Sequence, residues 1–224
     1  MKKESRPQKK GIFIAGTDTG VGKTWVTCAL AKAFKKNGLR VAGLKPFQSG
    51  SWEDSQKIKR ATKSSLSLNQ ITPFYFRHPL APYSSLQIEK KSIQPQKIKS
   101  LYEPIIQTHD LTLIEGVGGA LVPITHNFFC IDIPKLLNIP TLLVARLSLG
   151  TLNHTLLTIE AFKKRNLKIK GIILNAYPIR KKDLACQTNP SVLKKIGKIP
   201  ILGILPYPMP DDIEKHIDMT KILC

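Results

Sequence analysis

The segment Gly16-Thr17-Asp18-Thr19-Gly20-Val21-Gly22-Lys23-Thr24 carries the residue types that hold a polyphosphate. A glycine-rich turn between an apolar run (residues 12–15) and a helical stretch from Val26 aims backbone N–H groups and a helix N-terminus at anions. Lys23 would bridge the terminal phosphates, and the Thr24 hydroxyl would bind Mg2+. Five residues separate Gly16 from Gly22, where the usual phosphate-binding loop has four. Lys45 follows the apolar run 41–44 and opens Lys45-Pro46-Phe47-Gln48-Ser49-Gly50. At a strand's carboxyl end it is placed to neutralise a transferring phosphoryl group, and is expected to serve chemistry more than folding; taken alone it also reads as a surface lysine. Glu115 ends the apolar run 111–114 and precedes Gly116-Val117-Gly118-Gly119, glycines that allow close backbone approach. A carboxylate there is costly unless compensated, either by Mg2+ or by structural hydrogen bonds. Asp54, in the polar segment after Lys45, is a candidate second metal-side carboxylate.

Those side chains need a scaffold. Runs 12–15, 41–44, 111–114, 141–145, 171–174 and 201–205 are almost wholly apolar, the pattern of strands covered on both faces. Val26, Ala29, Leu30 and Ala33 follow the i, i+3, i+4, i+7 rule, and Gly38 stops that helix. Leu152, Leu156, Ile159 and Phe162 trace one face of another helix, ahead of basic residues 163–165. Alternation of this kind predicts one α/β domain, a mostly parallel sheet with helices on both faces and ligands at the strands' carboxyl ends. Residues 49–82 are the least regular part, expected to form an active-site loop region around one short helix. There is no internal repeat and no low-complexity linker.

The 224 residues allow one domain with a sizeable core, set as residues 11–224 after a basic tail 1–10. No apolar run approaches the ~20 residues of a membrane-spanning helix, and the apolar stretch after the tail is too short for a signal peptide. The expected setting is cytoplasmic, with no membrane partner. Cys28, Cys130, Cys186 and Cys224 are scattered, which argues against a disulfide framework or a zinc site. The net charge of +20 raises the question of nucleic acid. The lysines are spread along the chain with few aromatics among them and no nucleic-acid-binding motif. Solvated lysine is the expected reading, with no nucleic-acid partner and no part in activity. His109, His126 and His154 read as structural or surface residues.

In order and combination these segments resemble the dethiobiotin synthetase family, the ATP-dependent penultimate enzymes of biotin biosynthesis. The resemblance spans the chain after the tail. It rests on the GTDT-x-VGKT loop with the family's five-residue spacing, KPFQSG at 45–50, EGVGG at 115–119, LGTLNH at 149–154, Asn175 at a strand end and LPYP at 205–208. It implies a phosphate-loop NTPase-like fold and an ATP-dependent cyclo-ligase with Mg2+. The substrates implied are 7,8-diaminononanoate, CO2 and ATP. The metal would be held by Thr24, Asp54 and Glu115, and Lys45 and Lys23 would be the catalytic cations. ATP would meet Gly20, Val21, Gly22, Lys23, Thr24, Trp25, Asp54, Glu115, Gly116, Val117, Gly118, Asn175 (reading adenine), Ala176, Pro206, Tyr207 and Pro208. Gly20 stands where relatives often carry Glu, so any contact of that side chain is missing. Asp212 and Glu214 compete for a ribose contact. Thr19 and Ser49 would line the substrate site, and Gly150 to Asn153 would cradle the substrate's carboxylate from the second subunit of a homodimer.

The chemistry implied begins with a carbamate formed from CO2 and one substrate amine. The carbamate attacks the γ-phosphate to give a carbamic-phosphoric anhydride, and the second amine closes the ring and expels phosphate. Like charges at ~4 Å repel by about 4 kcal/mol at an effective dielectric of ~20, a repulsion that Lys23, Lys45 and Mg2+ would offset. Three other readings share parts of this pattern. A partitioning or metal-delivery ATPase usually has an extra lysine early in the loop, where Thr17 and Asp18 stand. A cobyrinate-type amidotransferase needs a glutaminase domain for which 224 residues leave no room. A nucleic-acid-binding phosphate-loop protein is motivated by the charge alone.

Overall fold

The computed structural model describes residues 10–176 and 184–223. The basic segment 1–9, hence nearly all of the expected tail, lies outside them, as does Cys224. The chain runs through β1 (Lys10–Gly16), α1 (Lys23–Lys36), β2 (Val41–Leu44), β3 (Phe47–Ser49), α2 (Glu53–Thr62), α3 (Leu68–Ile71) and β4 (Phe74–Phe76). It continues with α4 (Pro82–Ile88), α5 (Lys97–Thr108), β5 (Leu111–Gly119), β6 (Pro123–Thr125), β7 (Phe128–Phe129) and α6 (Asp132–Leu137). The last part holds β8 (Thr141–Arg146), α7 (Thr151–Lys164), β9 (Ile169–Asn175), α8 (Leu184–Gly197), β10 (Ile201–Leu205), a 3-10 turn (Ile213–Lys215) and α9 (Met219–Leu223).

Six strands form one sheet in the order β10-β9-β8-β1-β5-β2, and every pairing in it is parallel. From β1 the chain moves outward to β2, returns to insert β5 between them, and then crosses to the other side with β8. The direction of winding therefore reverses at β1, where open α/β sheets bind ligands. Both faces are covered, which explains the apolar runs. Phe13 and Ala15 of β1 pack into one cluster with Tyr102, Ile133, Phe162 and Leu193, from α5, α6, α7 and α8. Ile12 and Ile14 pack into the other with Val26, Leu30 and Phe34 of α1 and Ala61 of α2.

The six expected strands all form, and two, 41–44 and 201–205, have the expected bounds. α1 ends at Lys36, and Gly38 adopts the left-handed φ of +83° that stops it. Three expectations are corrected. Residues 49–82 are not loop around one short helix: they hold α2, α3, β4 and the start of α4, and β4 pairs in parallel with β3. Asp54 therefore lies in the first turn of a ten-residue helix rather than in a loop. Glu115 does not end its strand, because β5 continues to Gly119, which pairs with Gly16 after a register shift.

The position of Asp54 depends on how closely α2 approaches β2. Gly43 makes that approach possible, since a Cβ there would collide with Ile58 Cγ2 and lie 3.0 Å from Thr62 Cγ2. Gly43→Val is expected to lower stability by about 1–3 kcal/mol in urea unfolding. It should also weaken binding at Asp54's end of α2 more than Ile58→Val does; equal stability of Gly43→Val and the unaltered chain would disprove this packing role.

Candidate active site

β1 delivers the chain into a turn whose backbone is pinned from several sides. Thr17 N–H donates to the Val144 carbonyl at 3.0 Å, and the Asp18 carboxylate accepts from Thr19 N–H at 2.7 Å. Arg146, at the end of β8, donates to the Thr19 carbonyl at 3.3 Å and lies 3.7 Å from Asp18. Asn175 is fully buried, and its Nδ2 donates to the Val21 carbonyl at 2.9 Å. A side chain at Gly22 would strike that carboxamide, and Gly22 has a φ of +86°; glycine is required on both counts. α1 then starts with no side-chain cap and no acid in its first turn. Its N-terminal end stays positive, as an anion site needs.

Glu115 organises the centre. Its Oε1 accepts from Lys45 Nζ at 2.6 Å and from the Thr24 hydroxyl at 2.7 Å. Lys45 Nζ also lies 3.3 Å from Asp54 Oδ2. Lys45 is buried, so it is not a surface lysine. Burial pulls its pKa down, but Glu115 and then Asp54 outweigh burial and hold the ammonium above its ordinary value. Lys23 shows the opposite balance: burial, with Lys45 adding to it, holds its pKa below the ordinary value. Its Nζ donates to the Gly118 carbonyl at 2.7 Å and the Asp18 carbonyl at 3.2 Å, which parks it across the loop.

The donor set suits Mg2+. Glu115 Oε2 is buried without a hydrogen-bond partner among the described residues, and it belongs to a carboxylate already touching Thr24. No group of three or more His, Cys, Asp or Glu that could hold a metal by itself occurs among the described residues. Two carboxylates and a hydroxyl, with phosphates and water completing the shell, is the pattern Mg2+ takes.

A cleft of about 1020 Å³ opens over this cluster. Of the residues expected there, Thr19, Gly20, Gly22, Lys23, Thr24, Trp25, Lys45, Ser49, Asp54, Glu115, Val117 and Gly118 line it. Val21 and Gly116 are buried behind the wall. Asn175, Ala176, Pro206, Tyr207 and Pro208 do not line it either. Ala176 N–H bonds the Leu205 carbonyl at 3.0 Å, and the Tyr207 ring packs 5.7 Å from that of Trp25. Asn175 braces the loop through its bond to the Val21 carbonyl. Neither acid considered for ribose faces the cleft: Asp212 pairs with Lys215 at 2.8 Å and Glu214 with Lys36 at 3.4 Å. The acid on the wall is Asp211, beside Met209 and Pro210, which motif spacing alone did not single out.

Other residues were not anticipated. Gln48 is buried under the cleft, where its side chain accepts from Ser55 N–H at 3.1 Å and bonds the Ser51 carbonyl, tying β3 to α2. Arg146 and the basic wall described below also went unmarked, because their roles depend on pairing across more than a hundred residues or across two helices. Cys28 lines the cleft, but burial, then Glu115, pushes its thiol up to about 12. Burial pushes Cys130 up to about 11; neither thiol is a nucleophile at neutral pH. Gly150 and Asn153 are exposed at the start of α7 and lie outside the cleft.

A family model described as an AAA domain matches residues 10–211. The chain is 37% identical over 216 residues to the ATP-dependent dethiobiotin synthetase BioD of Endomicrobium trichonymphae, covering 95% of this chain and 99% of that one. It is 39% identical over 214 residues to the protein of the same name from Thermodesulfovibrio yellowstonii, covering 89% of each. Among solved structures, the septum site-determining protein MinD complexed with Mg-ADP from Pyrococcus horikoshii superposes with a TM-score of 0.59 at 18% identity, covering 89% of this chain and 82% of that one. The cell division protein FtsY from Thermotoga maritima gives 0.57 at 17% identity, with 98% and 68% covered. At those identities the structures share the fold alone.

Removing one partner of a buried ion pair leaves the other uncompensated. Glu115→Ala is therefore expected to lower stability by about 3–5 kcal/mol, and Lys45→Met added to it should restore a large part of that loss. Urea unfolding of the two single variants and the double variant tests this coupling; strictly additive losses would refute it.

Proposed function

The chain belongs to the ATP-dependent dethiobiotin synthetase family, and on that premise we propose how its cleft divides the work of the reaction. The enzyme catalyses carboxylation and ring closure of 7,8-diaminononanoate with CO2 to dethiobiotin, at the expense of ATP. The assignment of roles to residues is our own reading. It is carried by one observation, the convergence of Lys45 and Thr24 on Glu115, with Asp54 facing the same Lys45 ammonium, next to an uncapped helix N-terminus.

ATP lies with its phosphates over the amides of Gly20 to Trp25. The base rests against Trp25, Met209 and Pro210, with Asp211 at the ribose. Thr24, Asp54 and Glu115 would hold Mg2+, which would supply positive charge to the phosphate oxygens. The carbamate of the substrate approaches beside Thr19 and Ser49. Lys23 swings from the Asp18 and Gly118 carbonyls to the terminal phosphates, and Lys45 stays fixed by Glu115. Both cations offset the repulsion between carbamate and triphosphate, and act most strongly as charge moves to the leaving oxygen. No proton shuttle from His or Cys is called for. Among the described residues no helix is long and apolar enough to cross a membrane, and we place the reaction in the cytoplasm.

The substrate's carboxylate is proposed to bind at Gly150 to Asn153 of a second copy. Support comes from the surface there. Gly150 has a φ of +89°, α7 has no side-chain cap, Leu149 is 84% exposed, and Leu157 of α7 is exposed as well. An apolar residue so exposed beside an anion cradle suits a covered interface.

The assay is ADP release that requires both diaminononanoate and bicarbonate; ADP release without either dependence would reject the reading. In it, Lys45→Gln is expected to lower kcat by about 10²–10³, while Glu115→Gln should raise the Mg2+ concentration needed. Unchanged values for both variants would reject the assigned roles. Shared sites predict a second result. Lys23→Ala and the pair Gly150→Val with Asn153→Leu should each be inactive, and mixing them should restore roughly a quarter of normal activity, since each mixed dimer regains one intact site. If subunits demonstrably exchange and no activity returns, the site lies within one chain.

A further inference from the structure

The cleft continues past the phosphate loop, along the outer face of α1. Lys32 and Lys36 of α1 stand on one side of this extension, and Lys57 and Arg60 of α2 on the other. Ala29, Ala33 and Ala61 also line it, with side chains small enough to leave it open. Six cationic side chains line the whole cleft against three carboxylates, and two of those carboxylates, Glu115 and Asp54, already face Lys45. Along the extension, Lys57 pairs with Glu53 at 2.6 Å and Lys36 with Glu214 at 3.4 Å. Lys32 and Arg60 have no carboxylate within ion-pair distance among the described residues. All four cations are exposed, so they do not serve the core.

We propose that this basic extension is an electrostatic guide that captures the triphosphate of ATP and passes it to the phosphate loop. The proposal rests on the reading of the cleft as the ATP site. It assigns a function to part of a charge that the sequence suggested was incidental. A cleft lined by one sign of charge concentrates field lines and raises association rates of oppositely charged ligands by about 10–10³. Because the four side chains are exposed, their field is screened within ~10 Å at 0.1 M salt. The guide therefore acts on association and carries a strong dependence on ionic strength. It adds nothing to the chemical step.

Of the chain's two tryptophans, Trp25 lines the cleft and Trp52 caps α2 two residues before Asp54, so stopped-flow tryptophan fluorescence with MgATP reads association without the second substrate. The test variant combines Lys32→Gln, Lys57→Gln and Arg60→Gln. A control combines Lys97→Gln, Lys135→Gln and Lys168→Gln, which removes the same charge from exposed positions away from the cleft. Between about 0.01 and 0.15 M ionic strength, the unaltered chain and the control should show an association rate constant that falls steeply with salt. The test variant should be about tenfold slower at the low end and nearly flat, with kcat at saturating ATP preserved. Equal rates and slopes for test and unaltered chain would overturn the guide. So would equal slowing in the control, since overall charge would then suffice. If MgATP gives no saturable fluorescence change in the unaltered chain, the reading of the cleft fails first, and the guide with it. If MgATP binds with a guided rate but diaminononanoate does not accelerate ADP release, the guide stands and the assigned reaction fails.

Discussion

A carboxylate buried in the middle of a parallel sheet is the constraint around which this molecule is arranged. Glu115 sits on β5, between β1 and β2, with apolar neighbours before it in the strand and glycines after it. In that setting an unpaired charge is very costly. Both adjacent strands supply the compensation. β2 ends one residue before Lys45, and β1 leads through the loop to Thr24 at the second position of α1. Placing β5 anywhere else in the sheet would separate the acid from one of its two partners. Strand order and charge compensation thus require one another.

The same cluster explains why binding and stability are tied together here. Glu115 Oε1 accepts both of its hydrogen bonds, while Oε2 has none among the described residues. A carboxylate with one satisfied and one unsatisfied oxygen is poised for a further cation. This arrangement lets Lys45 hold the acid in place without consuming all of its capacity. Lys23 is held by carbonyls that a triphosphate would displace it from. On the roles proposed above, Lys45 keeps its place and Lys23 reaches the phosphates by a side-chain swing, with no rearrangement of the fold.

Much of this was legible in the sequence, and the rest was not, for identifiable reasons. Buried strands announce themselves by unbroken apolar runs, so all six were found, along with the phosphate loop and the residues of the central cluster. β5 was cut short at Glu115 because glycines and a charge do not resemble a strand; only the pairing of Gly16 with Gly119 keeps it going. Residues 49–82 were read as loop around one short helix because the inward face of α2 offers one large apolar residue, Ile58, beside Ser55, Ala61 and Thr62. Asn175 has the position expected from its strand, yet its carboxamide meets the Val21 carbonyl, a contact between residues 154 apart that spacing cannot reveal. Asp211 and Asp212 are adjacent in sequence; which of them faces the cleft depends on the local turn and on the Lys215 partner that draws Asp212 away.

The two anion sites proposed here are built alike. β1 and β8 are neighbouring parallel strands. Each is followed by a left-handed glycine and then by a 14-residue helix with no side-chain cap and no acid in its first turn. One such helix start faces phosphates; the other, at Gly150, suits a carboxylate. Right-handed crossovers send successive helices to the face dictated by the direction of winding, and that direction reverses at β1. α1 accordingly packs with Ile12 and Ile14, whereas α7 packs with Phe13 and Ala15 on the opposite face. Both helix starts lie at the carboxyl edge of the sheet, on opposite faces. The start at Gly150 is exposed and lies outside the cleft that holds the phosphate loop. The proposed two-fold pair would let each copy offer its α7 cradle to the other's phosphate loop.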